Sequence, residues 1–467
     1  MPKNSRTLAA SRRSCQQLCM SSTVSLPLWL FVLILLFAAV TFASHFLFPS
    51  VRWFFRRRAE KVVARINKRL ERPIQPFKLA RRSDMIQRLC YDPEVTQAIV
   101  DHARANKVRE DVAFEIARGY AREIVPSFSA TAYFGIAIRL ARLLSNALYK
   151  VRVGEYERQS PNEVDPEATV IFVMNHRSNM DYVLVTYLAA NRSALSYAVG
   201  EWARVWPLSF LIKAMGAYFI RRRSRNALYR RVLARYVQMA TQGGVTQALF
   251  PEGGLSLDGA LAPPKMGLLK YILDGADLEA RDVVFVPVAL NYDRVLEDRI
   301  LMAADAAGTR RFRARISVIA GFAIRTLWRR LTGNFDGFGY AAVNFGPALS
   351  LRHNPAFAVD ADALASEIMR RIACVVPILP VPMVAHVLCT QGPQARVQIE
   401  QNVSRICQGL GADHMQLPRS NRGYAVEYGL NSLLSRGIIE ECDGIFSART
   451  GQNAALEYYA NSIRHLF

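Results

Sequence analysis

The sequence predicts an α/β protein, a mixed sheet flanked by helices, with an N-terminal helical domain, a membrane anchor and a mostly helical C-terminal region. Three observations predict it. Short apolar runs rich in β-branched residues alternate with amphipathic stretches from 168 to 345; apolar residues recur at three- and four-residue spacing from 84 to 150; and an uncharged apolar run near the start is bordered by basic residues.

The apolar run comes first in the chain. Leu26 to Phe48 holds 23 residues without a formal charge, long enough at about 1.5 Å per residue to span a hydrocarbon core of about 30 Å. Residues 1 to 82 carry 16 Lys and Arg against Glu60 and Glu71, so +14 of the net +22 lies beside this run. Arg52, Arg56, Arg57, Arg58, Lys61, Arg65, Lys68 and Arg69 follow it, whereas only Lys3, Arg6, Arg12 and Arg13 precede it. The positive-inside tendency then places the C-terminal bulk in the cytoplasm, at a bacterial-type inner membrane, with anionic lipids as partners. Trp29 and Trp53 stand where interfacial anchors would. A cleaved leader ending near Thr41-Phe42-Ala43 is the rival, disfavoured by the run's length and by the basic cluster directly after it. No nucleic-acid motif accompanies the charge. Seven scattered cysteines without a CxxC pair argue against a disulfide framework and structural zinc.

Pro73 and Pro76 break the helical pattern after the basic segment. Helices are expected from Pro93, over Val112 to Ile124 and over Ala130 to Tyr149. Strands are expected at Ala168–Met174, Ala194–Val199, Gln247–Phe250, Val283–Leu290 and Ala341–Phe345, with a helix over Ala227–Thr241. Within the apolar stretch Ile372–Cys389, Pro377, Pro380 and Pro382 oppose a second spanning helix and favour a buried or surface-lying segment. The resulting division is a basic tail 1–25, a membrane segment 26–48, a juxtamembrane segment 49–83, a helical domain 84–150, an α/β domain 151–370 and a mostly helical region 371–467.

Four segments carry chemistry. Asn175-His176-Arg177-Ser178-Asn179-Met180-Asp181 follows a strand directly. Five residues apart on one helix, His176 and Asp181 would point about 140° from each other, so they meet only if His176 lies in the loop and Asp181 on the next helix. Asp181 then fixes the imidazole tautomer and leaves the other nitrogen to take a proton from a hydroxyl. Gly216-Ala217-Tyr218-Phe219-Ile220-Arg221-Arg222 offers Arg221 and Arg222 for bidentate contacts to phosphate and Gly216 for close backbone approach. Phe250-Pro251-Glu252-Gly253-Gly254 ends another strand, Glu252 and Gly253 lying in the turn, and Lys265 beyond it is a further phosphate contact. Phe285-Val286-Pro287-Val288 reads as a buried strand. Gly254-Leu255-Ser256-Leu257-Asp258 misses the nucleophile spacing of serine hydrolases.

Together and in this order, the segments resemble the motif blocks of the glycerolipid acyltransferase superfamily, N-H-x4-D first and F-P-E-G third. Glu123-Ile124-Val125-Pro126-Ser127-Phe128, Pro263-Pro264-Lys265 and the Tyr458-Tyr459 to His465 ending resemble its glycerol-3-phosphate branch. The resemblance implies acyl transfer from acyl-CoA or acyl-carrier protein to the sn-1 hydroxyl of glycerol 3-phosphate, without cofactor, metal or covalent acyl-enzyme. It implies His176 as base, Asp181 as its orienting acid, and Gly216, Arg221, Arg222, Glu252 and Gly253 at the acceptor. Leu255 and Leu257 depart from the branch, which commonly has arginine there, so dihydroxyacetone phosphate or a lysophospholipid is the alternative acceptor. A non-catalytic, membrane-anchored anion binder is the alternative of a different class.

Overall fold

A computed structural model describes residues 27–154, 164–188, 193–200, 208–221, 224, 226–308, 337–410 and 422–467; the side chains of 43–52, 55, 56 and 59 also lie outside the description. Two compact units divide the chain, Met1–Lys61 and Val62–Phe467.

The first unit contains most of α1 (Leu28–Asn67). From Leu28 to Phe42 nearly every side chain is exposed, Trp29, Phe37 and Phe42 among them, and further along Arg57 stacks 4.4 Å from the Trp53 ring. Among the described residues no helix is long and apolar enough to cross a membrane, so the spanning segment expected at 26–48 is not shown. The side chains of 43–48, which complete the expected segment, and the basic tail before 27 lie outside the description.

In the second unit, α2 (Pro76–Leu79), α3 (Arg82–Cys90), α4 (Pro93–Asn106) and α5 (Glu110–Ile124) precede the sheet. Asp92 caps α4 by accepting from the Glu94 amide, with Pro93 at the position where a missing N–H costs nothing. The expected helix over Ala130–Tyr149 contains a π-turn at Ala132–Ala137 before α6 (Ile138–Leu148).

The main sheet has eight strands: β1 (Lys150–Val153), β2 (Thr169–Met174), β3 (Ser196–Gly200), β4 (Tyr218–Ile220), β5 (Gln247–Leu249), β6 (Val283–Tyr292), β7 (Tyr340–Phe345) and β8 (Leu349–Ser350). Their order is β1-β7-β6-β2-β5-β3-β4, with β8 also on β6. Strands β6, β2, β5, β3 and β4 are mutually parallel, while β7 and β8 run antiparallel to β6, so the sheet is mixed. The fully buried apolar runs of β2 and β6 are what a sheet covered on both faces requires. Because five strands point one way, the loops leaving β2, β5, β6 and β4 gather on one edge. α7 (Met180–Leu188) follows β2, and one apolar core runs from Met85 on α3 through the sheet to Ile463.

The segment after Val376 forms a helix over Pro380–Gln391 whose side chains are buried from Pro380 to Leu388. The C-terminal region, expected to be mostly helical, also contains a small antiparallel sheet of 394–395, 439–442 and 445–448. Asp443 and Gly444 both have positive φ, 52° and 76°, the geometry of a two-residue hairpin turn. The last helix, Asn453–Ala460, packs back so that the Tyr458 carbonyl would lie 1.9 Å from a Cβ built on Gly259, whose φ is +89°.

Gly259→Ala is therefore expected to lower stability by about 3 kcal/mol, from left-handed strain plus displacement of the last helix. Denaturant unfolding checks it, and an unchanged midpoint would contradict the packing of the C-terminal helix on this loop.

Candidate active site

Strand β2 ends at Met174, and the chain turns through 175–179 into α7. Asn175 makes the turn rigid by mimicking a backbone rung: its Nδ2 donates to the Leu290 carbonyl at 2.9 Å and its Oδ1 accepts from the Leu290 amide at 2.8 Å. His176 thus leaves the sheet at a fixed angle, 2% exposed. Asp181 sits in the first turn of α7, fully buried, where the helix N-terminus favours negative charge.

The two side chains meet. His176 Nδ1 lies 2.9 Å from Asp181 Oδ2, which also accepts from the amides of Arg177 (2.7 Å) and Ser178 (3.0 Å). The other oxygen, Oδ1, accepts from the Tyr292 hydroxyl at 2.6 Å. With four donors around a carboxylate that has none to give, the proton on Nδ1 is assigned by the network, and Nε2 is the acceptor. Nε2 has no hydrogen-bond partner among the described residues. Phe250 stacks on the imidazole at 4.0 Å between centroids and Tyr182 meets it edge-on at 5.5 Å.

Glu252 leaves the end of β5 and holds the loop from the other side. Its Oε1 accepts from the His176 amide at 3.0 Å and its Oε2 from the Ala262 amide at 3.3 Å. Burial pushes its carboxyl up to about 7, against the pull of those two amides and of the Arg177 charge. Gly253 turns at φ +65°, and a Cβ there would lie 2.7 Å from Cδ of Lys265, which runs exposed beside it. Glu297 accepts from the Ser178 hydroxyl (2.8 Å) and from Asn179 Nδ2 (3.0 Å); burial raises its carboxyl too, opposed by these bonds. Arg177, 2% exposed, donates through Nη1 to the Gly259 carbonyl and lies 5.3 Å from the Tyr458 ring, its Nε and Nη2 without partners.

The arginine block divides differently from the sequence expectation. Arg221 follows β4 onto the same edge as His176, three strands away, on the order of 14 Å at about 4.8 Å per strand. Its guanidinium is bidentate to Glu123, at 3.0 and 2.6 Å, and lies 5.2 and 5.4 Å from the rings of Tyr120 and Tyr229. Arg222 lies outside the described residues. Gly216 precedes β4 and so stands at the opposite edge of the sheet, where its would-be Cβ is 2.9 Å from Lys78 Cε.

Tyr292 and Glu297 are site residues that the sequence reading did not single out, and Arg177 and Tyr458 were named there only as parts of motifs, without a role. Tyr292 had a signal, since polar residues at the end of an apolar strand collect on the same edge as the other strand-end loops. Glu297 had none locally, because its partners are more than a hundred residues away.

Two outcomes follow from this geometry. Tyr292→Phe removes one of four donors to Asp181 and is expected to lower kcat by roughly ten- to a hundredfold with KM unchanged, read by steady-state kinetics; a changed KM with kcat intact would place Tyr292 at a substrate instead. For Glu252, the folded state retains a proton that the unfolded chain has lost between about 4.5 and about 7, so its contribution makes stability fall as pH rises through that window, by roughly 3 kcal/mol in total. Unfolding measured from pH 5 to 8 should show a shallower fall in Glu252→Gln, and identical slopes would contradict the raised carboxyl.

Residues 151–291 match the family described as Acyltransferase. A glycerol-3-phosphate acyltransferase of Shewanella amazonensis is 29% identical over 444 residues, covering 87% of this chain and 53% of the relative. One of Shewanella loihica is 28% identical, covering 88% and 54%, and one of Alteromonas mediterranea is 26% identical, covering 83% and 50%. The chain thus spans about half the length of the curated relatives it matches. Among solved structures, the 1-acyl-sn-glycerophosphate (LPA) acyltransferase PlsC from Thermotoga maritima aligns with a TM-score of 0.32 at 15% identity, covering 51% of this chain and 78% of that one. Residues 151–291 thus match the Acyltransferase family, and most of the chain is similar to proteins named glycerol-3-phosphate acyltransferase.

Proposed function

We propose that the chain transfers a fatty acyl group from the thioester of CoA or acyl-carrier protein to the sn-1 hydroxyl of glycerol 3-phosphate, forming lysophosphatidate. The observation that carries this reading is the buried His176–Asp181 pair at a strand-end loop, with Nε2 left as acceptor. His176 Nε2 takes the hydroxyl proton as the oxygen attacks the thioester carbonyl; the carbon–sulfur bond breaks and the thiolate recovers the proton from the imidazolium. Asp181 stabilises that transient cation and holds the ring. The relatives' names support glycerol 3-phosphate as acceptor. Lys265 beside the Glu252 turn and Arg221 on the same edge are the candidate phosphate contacts.

The exposed apolar stretch of α1 and the basic residues after it support attachment to an anionic membrane surface, with the catalytic unit on the cytoplasmic side. A second reading, the same chemistry on dihydroxyacetone phosphate or a lysophospholipid, is favoured by Leu255 and Leu257 after the Glu252 turn, where the branch that the sequence resembles commonly has arginine.

The test is product formation from labelled glycerol 3-phosphate with each donor. His176→Ala is expected to reduce kcat by about a thousandfold or more, and full activity in that variant would remove it as the base. Arg221→Ala separates the acceptors: a raised KM for glycerol 3-phosphate supports a phosphate role, while a loss of fold stability with KM unchanged assigns Arg221 to Glu123 alone.

A further inference from the structure

Two motifs singled out in the sequence meet away from His176. The loop Val125–Phe128, after α5, and Gly216, before β4, both lie at the N-terminal edge of the parallel strands, the edge opposite the catalytic loop. Between α2, the start of α3, this loop and the first residue of β3 is a cavity of about 300 Å³. Lys78, Arg81 and Arg82 line it together with Ser127, Ser196 and Phe128, and no acidic side chain does so among the described residues.

The three cations are held in place without counter-charge. Lys78 Nζ donates to the Ala194 carbonyl at 2.6 Å and sits 4.6 Å from the Phe128 ring centroid. Gly216, at φ +87°, leaves the space that the Lys78 stem occupies, since a Cβ there would lie 2.9 Å from Lys78 Cε. Arg82 donates to the carbonyls of Val125 (3.0 Å) and Arg122. None of the three pairs with a carboxylate among the described residues, and Arg81 is exposed at the rim. Burial holds the Lys78 ammonium well below the usual lysine range, and burial with the nearby Arg122 charge lowers Arg82. With no carboxylate lining this apolar-floored cavity among the described residues, an anion placed there would be the counter-charge that the three basic side chains lack.

We propose that this cavity is a second anion site, distinct from the acceptor site, which binds a phosphate group through Lys78, Arg81 and Arg82, with the hydroxyls of Ser127 and Ser196 as further donors. Phe128 beside the cations gives an attached apolar chain a surface to rest on, so the phosphate of an amphiphile and a free phosphate ion share the recognition chemistry. The proposal does not rest on acyl transfer.

Equilibrium binding to the purified full chain in neutral detergent tests it, with inorganic phosphate and dihexanoyl phosphatidate as probes and thermal melts to verify folding. Both probes are expected to compete, and Arg81→Glu to weaken binding by about tenfold or more, the worth of one charge-assisted hydrogen bond. Lys78→Met, which keeps the stem against Phe128, is expected to do the same. Lys265→Glu, at the catalytic edge, is expected to leave this binding unchanged. Phosphatidate held about tenfold tighter than phosphate assigns the site to a lipid, and equal affinities assign it to a free phosphate group. Wild-type affinity in folded Arg81→Glu, loss caused by Lys265→Glu instead, or no binding of either probe would overturn the proposal.

Discussion

Everything at the edge that carries His176 depends on one buried carboxylate. Asp181 has no solvent contact and no paired cation in direct contact, so its charge is tolerated only because four donors converge on it: an imidazole N–H, two amides of the preceding loop and a tyrosine hydroxyl. Each donor comes at a structural cost elsewhere. The two amides point inward only because the 175–179 loop is tight, the loop is tight because Asn175 is stitched to Leu290, and the hydroxyl is in reach only because β6 continues to Tyr292 beside β2. The carboxylate and the loop therefore specify one another.

A second layer of acids serves the first. Glu252 and Glu297 each accept from the loop that carries His176, one on its amide and one on Ser178 and Asn179, so His176 is fixed by contacts to its backbone as much as by its ring. Three carboxylates around one short loop repel one another in the same charge state, and burial pushes Glu252 up to about 7 and raises Glu297 as well. Arg177 lies among them as the balancing charge.

The elements that are locally encoded were legible in the sequence. The strands at 169–174 and 283–292 stand out as β-branched runs, 247–249 as a short apolar segment before a turn, and the loop position of His176 against the helical position of Asp181 follows from angular spacing alone. What was not legible was long-range. Gly216 and Arg221 are five residues apart in one block, yet a three-residue strand carries them to opposite edges of the sheet, and no local pattern announces so short a strand at a sheet edge. Arg221 reads as a phosphate ligand until Glu123, almost a hundred residues earlier, is seen to occupy both arms of its guanidinium. The hairpin at Asp443-Gly444 is a different kind of miss: its turn signal was present, but the surrounding helical periodicity outweighed it.

The last helix has a bearing on how the protein comes to life on the ribosome. Arg177 rests against Tyr458, the Tyr458 carbonyl fills the space beside Gly259, and Asn461 Nδ2 donates to the Asp258 carbonyl. The loop that carries the base is thus walled by residues translated nearly three hundred positions after it. Strands and helices of the sheet are able to assemble while synthesis continues, but the catalytic edge stays unfinished until residues 453–463 have cleared the exit tunnel.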